Sequence, residues 1–360
     1  MEISTPGRVC LFGEHQDYLG LPIIAMAISL RSVISGISRN DTSIIIRKPD
    51  INETEKFDLD ELNYHTSRDY FKSGIKVCKD FGFKFSRGFE CEIKSEIPIK
   101  AGTSSSSSIM VGWINFLSQN ADNPKILDTK SIAEIAYKAE VIEFDSPGGM
   151  MDQYSTSVGN LIYLESEPQI KVKRINRALG AFVLGDSLEQ KDTIGILRRS
   201  RDSRLSIMSE MNKFDPDVNF QTISSDQLDQ FELDEKKRHL MIGTIKNRDL
   251  LRQAKVELKK QNLDQNAFGR LLHDHHKVLS ECLKVSTPKI EYMLKSAMDA
   301  GAFGGKINGS GGGGCMFAYA PDNPTNIVNA INKSGGSAVI IHGEDGVRID
   351  SVSYTHLTLP

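Results

Sequence analysis

The order of apolar and polar residues predicts a strand, a loop of small residues and a helix in the first third of the chain. Between residues 89 and 97, apolar side chains alternate with charged ones, which is the period-two pattern of a half-buried strand. Residues 98–108 then include a glycine and a run of serines, and residues 109–114 are an apolar run typical of a buried helix. The chain therefore passes from a strand through a small-residue loop into a helix.

Similar patterns predict further elements on both sides of this unit. Apolar segments at residues 3–12 and 22–33 flank a short polar loop, and residues 41–58 have the pattern of an exposed hairpin. The second half is mostly helical and charged, and a glycine-rich segment there joins two predicted strands. The predicted helices cover residues 69–81, 128–144, 190–212, 236–260, 264–283, 288–300 and 324–333, and the later strands cover 158–164, 179–185, 302–308, 315–320 and 338–341.

The charged segment 165–177 is predicted to link two domains, since a chain of 360 residues is long enough for two cores. We therefore predict a first domain over residues 1–170 and a second over residues 171–350. Residues 351–360 have neither a periodic pattern nor an evident partner segment. We expect this tail to be disordered or not native to the gene.

The charge balance does not indicate nucleic acid or a membrane as a partner. The chain has 44 Lys and Arg and 47 Asp and Glu residues, without a long block of one sign. No basic segment followed by an apolar one stands at the start, and the apolar run 23–28 is too short to span a bilayer, so we expect a soluble, cytoplasmic protein. The 5 cysteines are scattered without a CxxC pair, which argues against a disulfide framework and a zinc site.

The serine-rich loop has the chemistry of a phosphate site. Free backbone N–H groups in the first turn of a helix carry a partial positive charge, and serine hydroxyls add further donors. Two other interpretations stay open: a serine-rich linker, and helix-capping serines without a ligand. The linker is disfavoured because the segment lies between a patterned strand and an apolar helix.

A second candidate site is the short loop bounded by Gly13 and Gly20. Its Glu14, His15 and Asp17 are good acceptors for the hydroxyls of a polyol. The same loop is equally consistent with a polar turn whose acids cap neighbouring backbone. A metal site is a third and weaker option, since one histidine and two acids so close in sequence are a weak signal.

Three later segments carry less specific signals. Asp152 follows two glycines that allow close approach of the backbone, although a lone aspartate in this context is most often a helix N-cap. The run from Gly309 to Gly314 is either a flexible connection or a set of amides that closes over a ligand. Three histidines within residues 273–276 share no helix face well, so we interpret them as surface or packing residues rather than metal ligands.

Together, three segments resemble the signature motifs of the GHMP small-molecule kinases in order and spacing: residues 6–18, 98–108 and 306–315. The Gly-Glu-His and Asp-Tyr of the first segment, and residues 147–153, are most similar to the galactokinase branch. The resemblance covers residues 6 to about 320. It implies an α+β, two-domain GHMP kinase fold, with an N-terminal ribosomal-protein-S5-like domain, a C-terminal ferredoxin-like α/β-plait domain and an active site in the cleft between them.

The resemblance also implies roles for individual residues. Asp152 corresponds to the catalytic aspartate of the family, and Arg8 to the basic residue beside it. The galactokinase ligands of the sugar hydroxyls correspond to Glu14, His15 and Asp17. Ser106 and Glu140 fall where the family holds Mg²⁺, a cation that accepts hydroxyl and carboxylate oxygens. The residues that the resemblance expects to bind ATP are Pro98, Lys100, Ala101, Gly102, Thr103, Ser104, Ser105, Ser106, Ser107, Ser108, Gly309 and Gly311.

The function implied by the resemblance is ATP- and Mg²⁺-dependent transfer of the γ-phosphate to the anomeric hydroxyl of galactose or a related aldose. The partner is then a small-molecule sugar, and the protein is a monomer or homodimer. Two alternatives stay open: another kinase of the family, of the mevalonate type, and a non-catalytic sugar and ATP sensor. The chain departs from the family pattern at Lys100, where glycine is common, at Gln16, where galactokinases usually have threonine, and after Tyr18, where their loop is longer.

Overall fold

The computed structural model describes residues 1–66 and 68–351, so the predicted tail lies outside the described residues apart from Ser351. The strands are β1 (Glu2–Phe12), β2 (Ile23–Ser38), β3 (Ser43–Lys48), β4 (Glu53–Asp58), β5 (Phe89–Ser95), β6 (Leu161–Glu165), β7 (Lys171–Arg174), β8 (Phe182–Asp186), β9 (Gly304–Ile307), β10 (Cys315–Tyr319), β11 (Ser337–Ile341) and β12 (Arg348–Ser351). The helices are α1 (Tyr70–Asp80), α2 (Ser105–Asn120), α3 (Thr129–Tyr137), α4 (Met151–Val158), α5 (Thr193–Met211), α6 (Glu235–Glu257), α7 (Gln265–Lys277), α8 (Pro288–Asp299) and α9 (Pro324–Lys333).

The strands form two sheets. The first has the order β12-β1-β2-β5-β3-β4, with β6 paired to the start of β2 and β7 paired to β6. The second is antiparallel, in the order β11-β8-β10-β9. Antiparallel pairing of β3 with β4 confirms the hairpin predicted over residues 41–58. The sheets and the helices around them together give the predicted α+β architecture.

Two strands differ from the sequence-based prediction. Residues 171–174, inside the predicted charged linker, form β7 and pair with β6. The linker interpretation failed there because an edge strand pairs on one side only and tolerates charged side chains, so it lacks an apolar alternation. Near the end of the described chain, β12 returns to pair with β1. The first sheet thus takes strands from both sides of the predicted boundary, and the exact division into domains stays a prediction.

Helices α1, α2 and α3 pack on the first sheet around a core centred on Trp113 of α2. The indole is fully buried, its N–H donates to the carbonyl of Phe71 at 3.1 Å, and its ring stacks on Phe116. Because the indole N–H is hydrogen-bonded, the whole side chain is buried without leaving a donor unsatisfied. This core holds α2, and with it the serine-rich loop, against the sheet. No helix in the described part is long and apolar enough to cross a membrane.

A shared apolar core joins the two sheets. Phe12 of β1, Phe182 of β8 and Phe317 of β10 belong to one buried cluster, together with Phe268 of α7. Phe12 meets Phe268 edge to face at 5.7 Å between ring centroids, and Phe182 meets Phe317 in the same way at 5.8 Å. Such aromatic contacts add to the free energy gained by apolar burial. The loops that leave these strands on one side are therefore held in place by both sheets.

A buried ion pair also connects the two sheets. Lys306 of β9 and Glu14, which follows β1, expose 0% and 2% of their side chains. Lys306 Nζ donates to Glu14 Oε2 at 2.9 Å and to the Cys10 carbonyl at 2.8 Å, and the Gly309 N–H donates to the same carboxylate oxygen at 2.9 Å. Because both charges lie away from water, each depends on the other for compensation. The pair fixes the polar loop after β1 against the second sheet.

We predict that Lys306→Met lowers the free energy of unfolding by about 3–5 kcal/mol, because it leaves the Glu14 carboxylate buried and unpaired. Lys277→Met is the matched control: Lys277 pairs with Asp274 at the surface, and its loss should cost about 0–1 kcal/mol. Urea unfolding at equilibrium measures both. Adding Glu14→Gln to Lys306→Met should recover part of the loss. Equal costs for the two lysine variants would contradict the structural role of the pair.

Candidate active site

The serine-rich loop between β5 and α2 has the backbone conformation of an anion-binding nest. Lys100, Gly102 and Ser104 have positive φ angles of 56°, 91° and 64°. Left-handed residues that alternate with others turn successive N–H groups towards a common point. Helix α2 begins at the next residue, so its free N-terminal N–H groups lie beside this turn. Lys100 thus adopts a conformation that favours glycine, which is the residue the family pattern has there.

The serine hydroxyls do not act as helix caps. Ser104 is the N-cap residue of α2, yet its side chain makes no capping hydrogen bond, and its buried Oγ has no partner among the residues described. Ser106 donates to Glu140 Oε1 at 2.7 Å, and Ser108 donates to the Thr5 carbonyl at 2.8 Å. Simple capping therefore does not account for this run. The unused hydroxyl of Ser104 is a donor available at the cleft.

The residues predicted to bind ATP fall into two groups. Those that line the cleft are Lys100, Gly102, Ser104, Ser105, Ser106, Ser107 and Gly309. Those that do not line it, within the described part, are Pro98, Ala101, Thr103, Ser108 and Gly311. The second group holds the loops in place: the Ala101 and Thr103 carbonyls accept backbone hydrogen bonds from Cys315 and Arg8, Ser108 faces the core, and Gly311 packs against Val285. Direct nucleotide contact is a better prediction for the first group than for the second.

Glu140 lies beside the serine loop on a single π-helical turn, Lys138–Ile142, that continues α3. Its two carboxylate oxygens accept from Ser106 Oγ at 2.7 Å and from Gln153 Nε2 at 2.6 Å. Burial raises the pKa of Glu140, and these hydrogen bonds oppose the rise. A hydroxyl and a carboxylate side by side suit Mg²⁺, which is usually held by few protein groups and keeps several waters. The predicted pair of Mg²⁺ ligands is therefore adjacent, and its donor set fits that ion.

Arg8 and Asp152 form an ion pair at the centre of the cleft. Arg8 Nε and Nη2 lie 2.8 Å and 2.7 Å from Asp152 Oδ1, and Arg8 Nη1 donates to the Gly102 carbonyl. Burial disfavours the charged guanidinium, but Asp152 and Glu14 outweigh burial and raise the pKa of Arg8. Asp152 lies in the first turn of α4 and exposes 32% of its side chain. One carboxylate oxygen thus faces Arg8, while the residue stays accessible from the cleft.

Glu14 and His15, both predicted sugar ligands, are engaged by the protein itself. Glu14 belongs to the ion pair with Lys306. His15 Nε2 lies 3.0 Å from the Ser310 carbonyl, which can only accept, so this nitrogen carries the proton. His15 Nδ1 therefore accepts from the Tyr18 hydroxyl at 2.8 Å. Burial lowers the pKa of His15 to about 3, so the ring is neutral. Both residues line the cleft, and their direct contact with a sugar stays a prediction.

The Tyr18 hydroxyl connects this loop to α5, which the sequence did not indicate. Arg204 is fully buried, and its Nη2 donates to Tyr18 at 2.6 Å and to the Ser200 hydroxyl at 2.8 Å. Arg204 does not line the cleft, whereas Tyr18 does. A hydrogen-bonded chain therefore runs from Arg204 through Tyr18 and His15 to the glycine-rich loop. No local pattern marks Arg204, because its partner is 186 positions away.

Asp17 is the acid of this loop most available to a ligand. Its Oδ2 accepts from the Met151 N–H at 3.2 Å, and a Cβ at Gly149 would overlap the same carboxylate. The glycine before α4 is thus required for the close approach of Asp17 to Asp152. Burial raises the pKa of Asp17 to about 6, and the nearby Asp152 adds to the rise. A buried acceptor next to a second carboxylate suits a neutral ligand with hydroxyl donors.

Part of the cleft lining is apolar, and no local sequence pattern marks it. The cleft has a volume of about 660 Å³, and its apolar end is lined by Ile51, Ile93, Ile99, Ile109 and Val141. These residues come from four separate segments, so no single motif reveals the pocket. An apolar slot beside a phosphate nest has the shape and chemistry that a nucleobase requires. The lining of the cleft thus includes apolar residues for a base, the serine-rich loop for phosphates and the carboxylates for a polar acceptor.

Comparison with known proteins agrees with this arrangement. Residues 69–160 match the GHMP kinases N terminal domain, residues 254–337 match GHMP kinases C terminal, and residues 2–36 match the galactokinase galactose-binding signature. The mevalonate kinase of Thermococcus gammatolerans is 26% identical over 97% of this chain and 98% of its own length. The galactokinase of Pyrococcus furiosus is 26% identical over 88% of each chain.

Among solved structures, Lactococcus lactis galactokinase complexed with galactose superimposes with a TM-score of 0.84 at 21% identity, covering 96% of this chain and 94% of that one. The likeness confirms the predicted two-domain GHMP kinase fold. GHMP kinases use ATP as the phosphate donor, and the nest, the apolar slot and the central ion pair fit that donor. On the evidence of its matched halves, its N-terminal signature and its fold, the chain belongs to the GHMP kinase family, in the galactokinase-like branch.

Proposed function

We propose that the protein transfers the γ-phosphate of ATP to the anomeric hydroxyl of galactose or a related aldose. The observation that carries the proposal is the position of the Arg8–Asp152 pair. Arg8 contacts both Asp152 and the Gly102 carbonyl of the phosphate nest, and Asp17 lines the same cleft close enough to Asp152 for the two carboxylates to repel each other. An acceptor hydroxyl near Asp152 would therefore lie between a polyol-binding carboxylate and the terminal phosphate.

This arrangement supplies what phosphoryl transfer requires. The reaction needs in-line positioning, neutralisation of charge and one acceptor near the attacking hydroxyl. Asp152 accepts or orients the hydroxyl proton, and Arg8 holds the Asp152 carboxylate in place and would face the phosphoryl oxygens. Ser106 and Glu140 would hold Mg²⁺, which supplies further charge neutralisation at the phosphates when bound. The serine N–H groups and hydroxyls fix the phosphate chain.

The sugar end of the cleft favours a neutral polyol over an anionic substrate. Asp17 and Asp152 both face it, so a substrate carboxylate would meet like charges at short range. Arg204, a nearby cation, is covered by Tyr18 and does not line the cleft. The match of residues 2–36 to the galactose-binding signature supports the same preference.

Mevalonate is the second candidate substrate, because the mevalonate kinase of Thermococcus gammatolerans matches at the same 26% identity as the galactokinase of Pyrococcus furiosus and over a larger share of this chain, 97% against 88%. A sensor without activity is disfavoured by the joint presence of Asp152, Arg8, Glu140 and Ser106, since a protein that only binds has no use for the whole set.

The first test is release of ADP with ATP and Mg²⁺ over a panel of aldoses and mevalonate. We expect turnover with galactose or a close relative. Saturable sugar binding in calorimetry without turnover of any substrate would favour the sensor, and turnover of mevalonate alone would overturn the sugar assignment.

We predict that Asp152→Asn lowers kcat by about 100- to 10,000-fold, the usual contribution of a general base, and leaves ATP binding nearly unchanged. Asp322→Asn, at an exposed loop of the second sheet, is the matched control and should keep full activity. Steady-state kinetics and calorimetry measure the two effects. Turnover that survives Asp152→Asn would show that the acceptor is wrongly assigned.

We predict that Asp17→Asn raises the free energy of unfolding and weakens sugar binding. Because the folded pKa of Asp17 is raised to about 6 from 3.8, the ionised carboxylate destabilises the fold above pH 6, and this cost fades as the pH falls through 6 towards 4. The variant should therefore be more stable by about 1–3 kcal/mol near pH 7.5, and the gain should vanish near pH 4.

Urea unfolding at several pH values and calorimetry with galactose check this prediction together. Asparagine still accepts from the Met151 N–H, so the loop should stay folded while galactose binds more weakly. An unchanged galactose affinity would remove Asp17 from the proposed site. A gain in stability that grows at low pH would contradict the burial of its charge.

A further inference from the structure

Lys191 carries a buried ammonium group that no sequence motif indicates. It lies in the segment between β8 and α5, directly before Asp192, the N-cap residue of that helix. Its Nζ is buried and has no hydrogen-bond partner in the part of the chain that the structure describes. The side chain lines the cleft, together with Arg8, Gly102 and Asp152.

An unpaired charge in such a place is costly, because neither water nor a carboxylate compensates it. Most of the other buried charges near the cleft are compensated: Arg8 by Asp152, and Lys306 by Glu14. Arg204, which does not line the cleft, has no carboxylate partner either, but it donates to Tyr18 and Ser200, whereas Lys191 Nζ makes no hydrogen bond within residues 1–66 and 68–351. An unsatisfied buried cation that faces a binding cleft is best explained by an anion that is present only in the complex.

Gly102 shows where that anion would lie. A Cβ on Gly102 would come within 2.8 Å of Lys191 Nζ and 2.6 Å of the Asn308 carbonyl. The absence of a side chain at Gly102 thus lets the ammonium approach the middle of the phosphate nest. Arg8 reaches the same glycine through its carbonyl. Two cations from different parts of the chain therefore converge on the nest, on the side that faces Asp152.

We propose that Lys191 is a further catalytic residue of the transfer reaction, whose ammonium binds oxygens of the terminal phosphate opposite the serine loop. The inference rests on the proposed kinase function and names one more contact of the same site. Lys191 comes from the second half of the chain, whereas the nest and Arg8 come from the first. A nucleotide bound by all three would link the two halves across the cleft.

The charge environment agrees with this role. The pKa of Lys191 is lowered to about 8, mainly by burial and also by Arg8, while the Cys315 thiol, Glu14 and Asp152 oppose the shift. A phosphate at the nest would favour the protonated ammonium, because an opposite charge stabilises the charged form. Lys100, another lysine that lines the cleft, is exposed and keeps more of its water on binding, so its contribution should be smaller.

The test compares Lys191→Met, Lys191→Arg and the control Arg199→Met, an exposed cation on α5. Calorimetry measures binding of β,γ-imido-ATP and of AMP, and thermal unfolding measures the melting temperature of each free protein.

Lys191→Met should weaken the binding of β,γ-imido-ATP about 10- to 100-fold, the scale of a charge-assisted hydrogen bond, and leave the affinity for AMP within about twofold of the wild type. Lys191→Arg should recover most of the affinity. The melting temperature of unliganded Lys191→Met should be equal to or above that of the wild type, since an uncompensated charge is removed.

Three results would overturn the inference. These are unchanged β,γ-imido-ATP affinity in Lys191→Met, equal weakening of β,γ-imido-ATP and AMP, and a lowered melting temperature with binding intact, which would mark a structural lysine. Wild-type turnover of a sugar separates these results from failure of the proposed function. If the wild type turns over no substrate and binds no β,γ-imido-ATP, both proposals are wrong.

Discussion

The buried ion pair between Glu14 and Lys306 is the interaction on which the geometry of the cleft depends. It joins the loop after the first strand to the second sheet, and the Gly309 N–H binds the same carboxylate oxygen. Apolar packing between the sheets is larger in area but not directional, so it cannot fix the positions of individual polar groups. The ion pair supplies that direction. The polyol loop and the glycine-rich loop therefore keep one fixed relation, and Asp17 and His15 keep their positions at the cleft.

Among the described residues that line the cleft, Lys191 is a buried cation whose Nζ has no hydrogen-bond partner. Arg8 is compensated by Asp152 and Lys306 by Glu14, while Asp17 is a buried acid with a raised pKa. Such groups reduce the stability of the unliganded protein, and functional sites commonly carry this cost. Asp17 and Lys191 face the ends of the site where a hydroxylated substrate and a phosphate would bind. The Asp17 carboxylate thus suits the hydroxyl donors of a sugar, and the Lys191 ammonium suits a phosphate.

Local patterns in the sequence predict the strand, loop and helix around the serine run, and the structure confirms these elements. The role of the loop from Glu14 to Asp17 in binding a polyol stays a prediction. Sequence patterns do not reveal residues that act through distant partners. Lys191 and Arg204 have no local signature, because their roles depend on the second sheet and α5 lying against the first part of the chain. Tyr18 belongs to the Asp-Tyr motif, but the motif does not indicate its hydrogen bond with Arg204. Strand β7 was missed for a related reason: an edge strand needs no apolar alternation. Glu14 was identified as important, but its pairing with Lys306 became apparent only in three dimensions.

We propose that the ion pair between Glu14 and Lys306 fixes a cleft in which an anomeric hydroxyl lies between Asp152 and the phosphate nest. The most direct measurement is nuclear magnetic resonance of the product formed from ATP, Mg²⁺ and galactose labelled with carbon-13 at C1, with mevalonate present in equal amount. If the phosphate is transferred to the anomeric hydroxyl, the labelled C1 signal acquires a coupling to phosphorus and mevalonate stays unmodified. Phosphorus coupled to another sugar carbon, or phosphorylated mevalonate beside intact galactose, would contradict it.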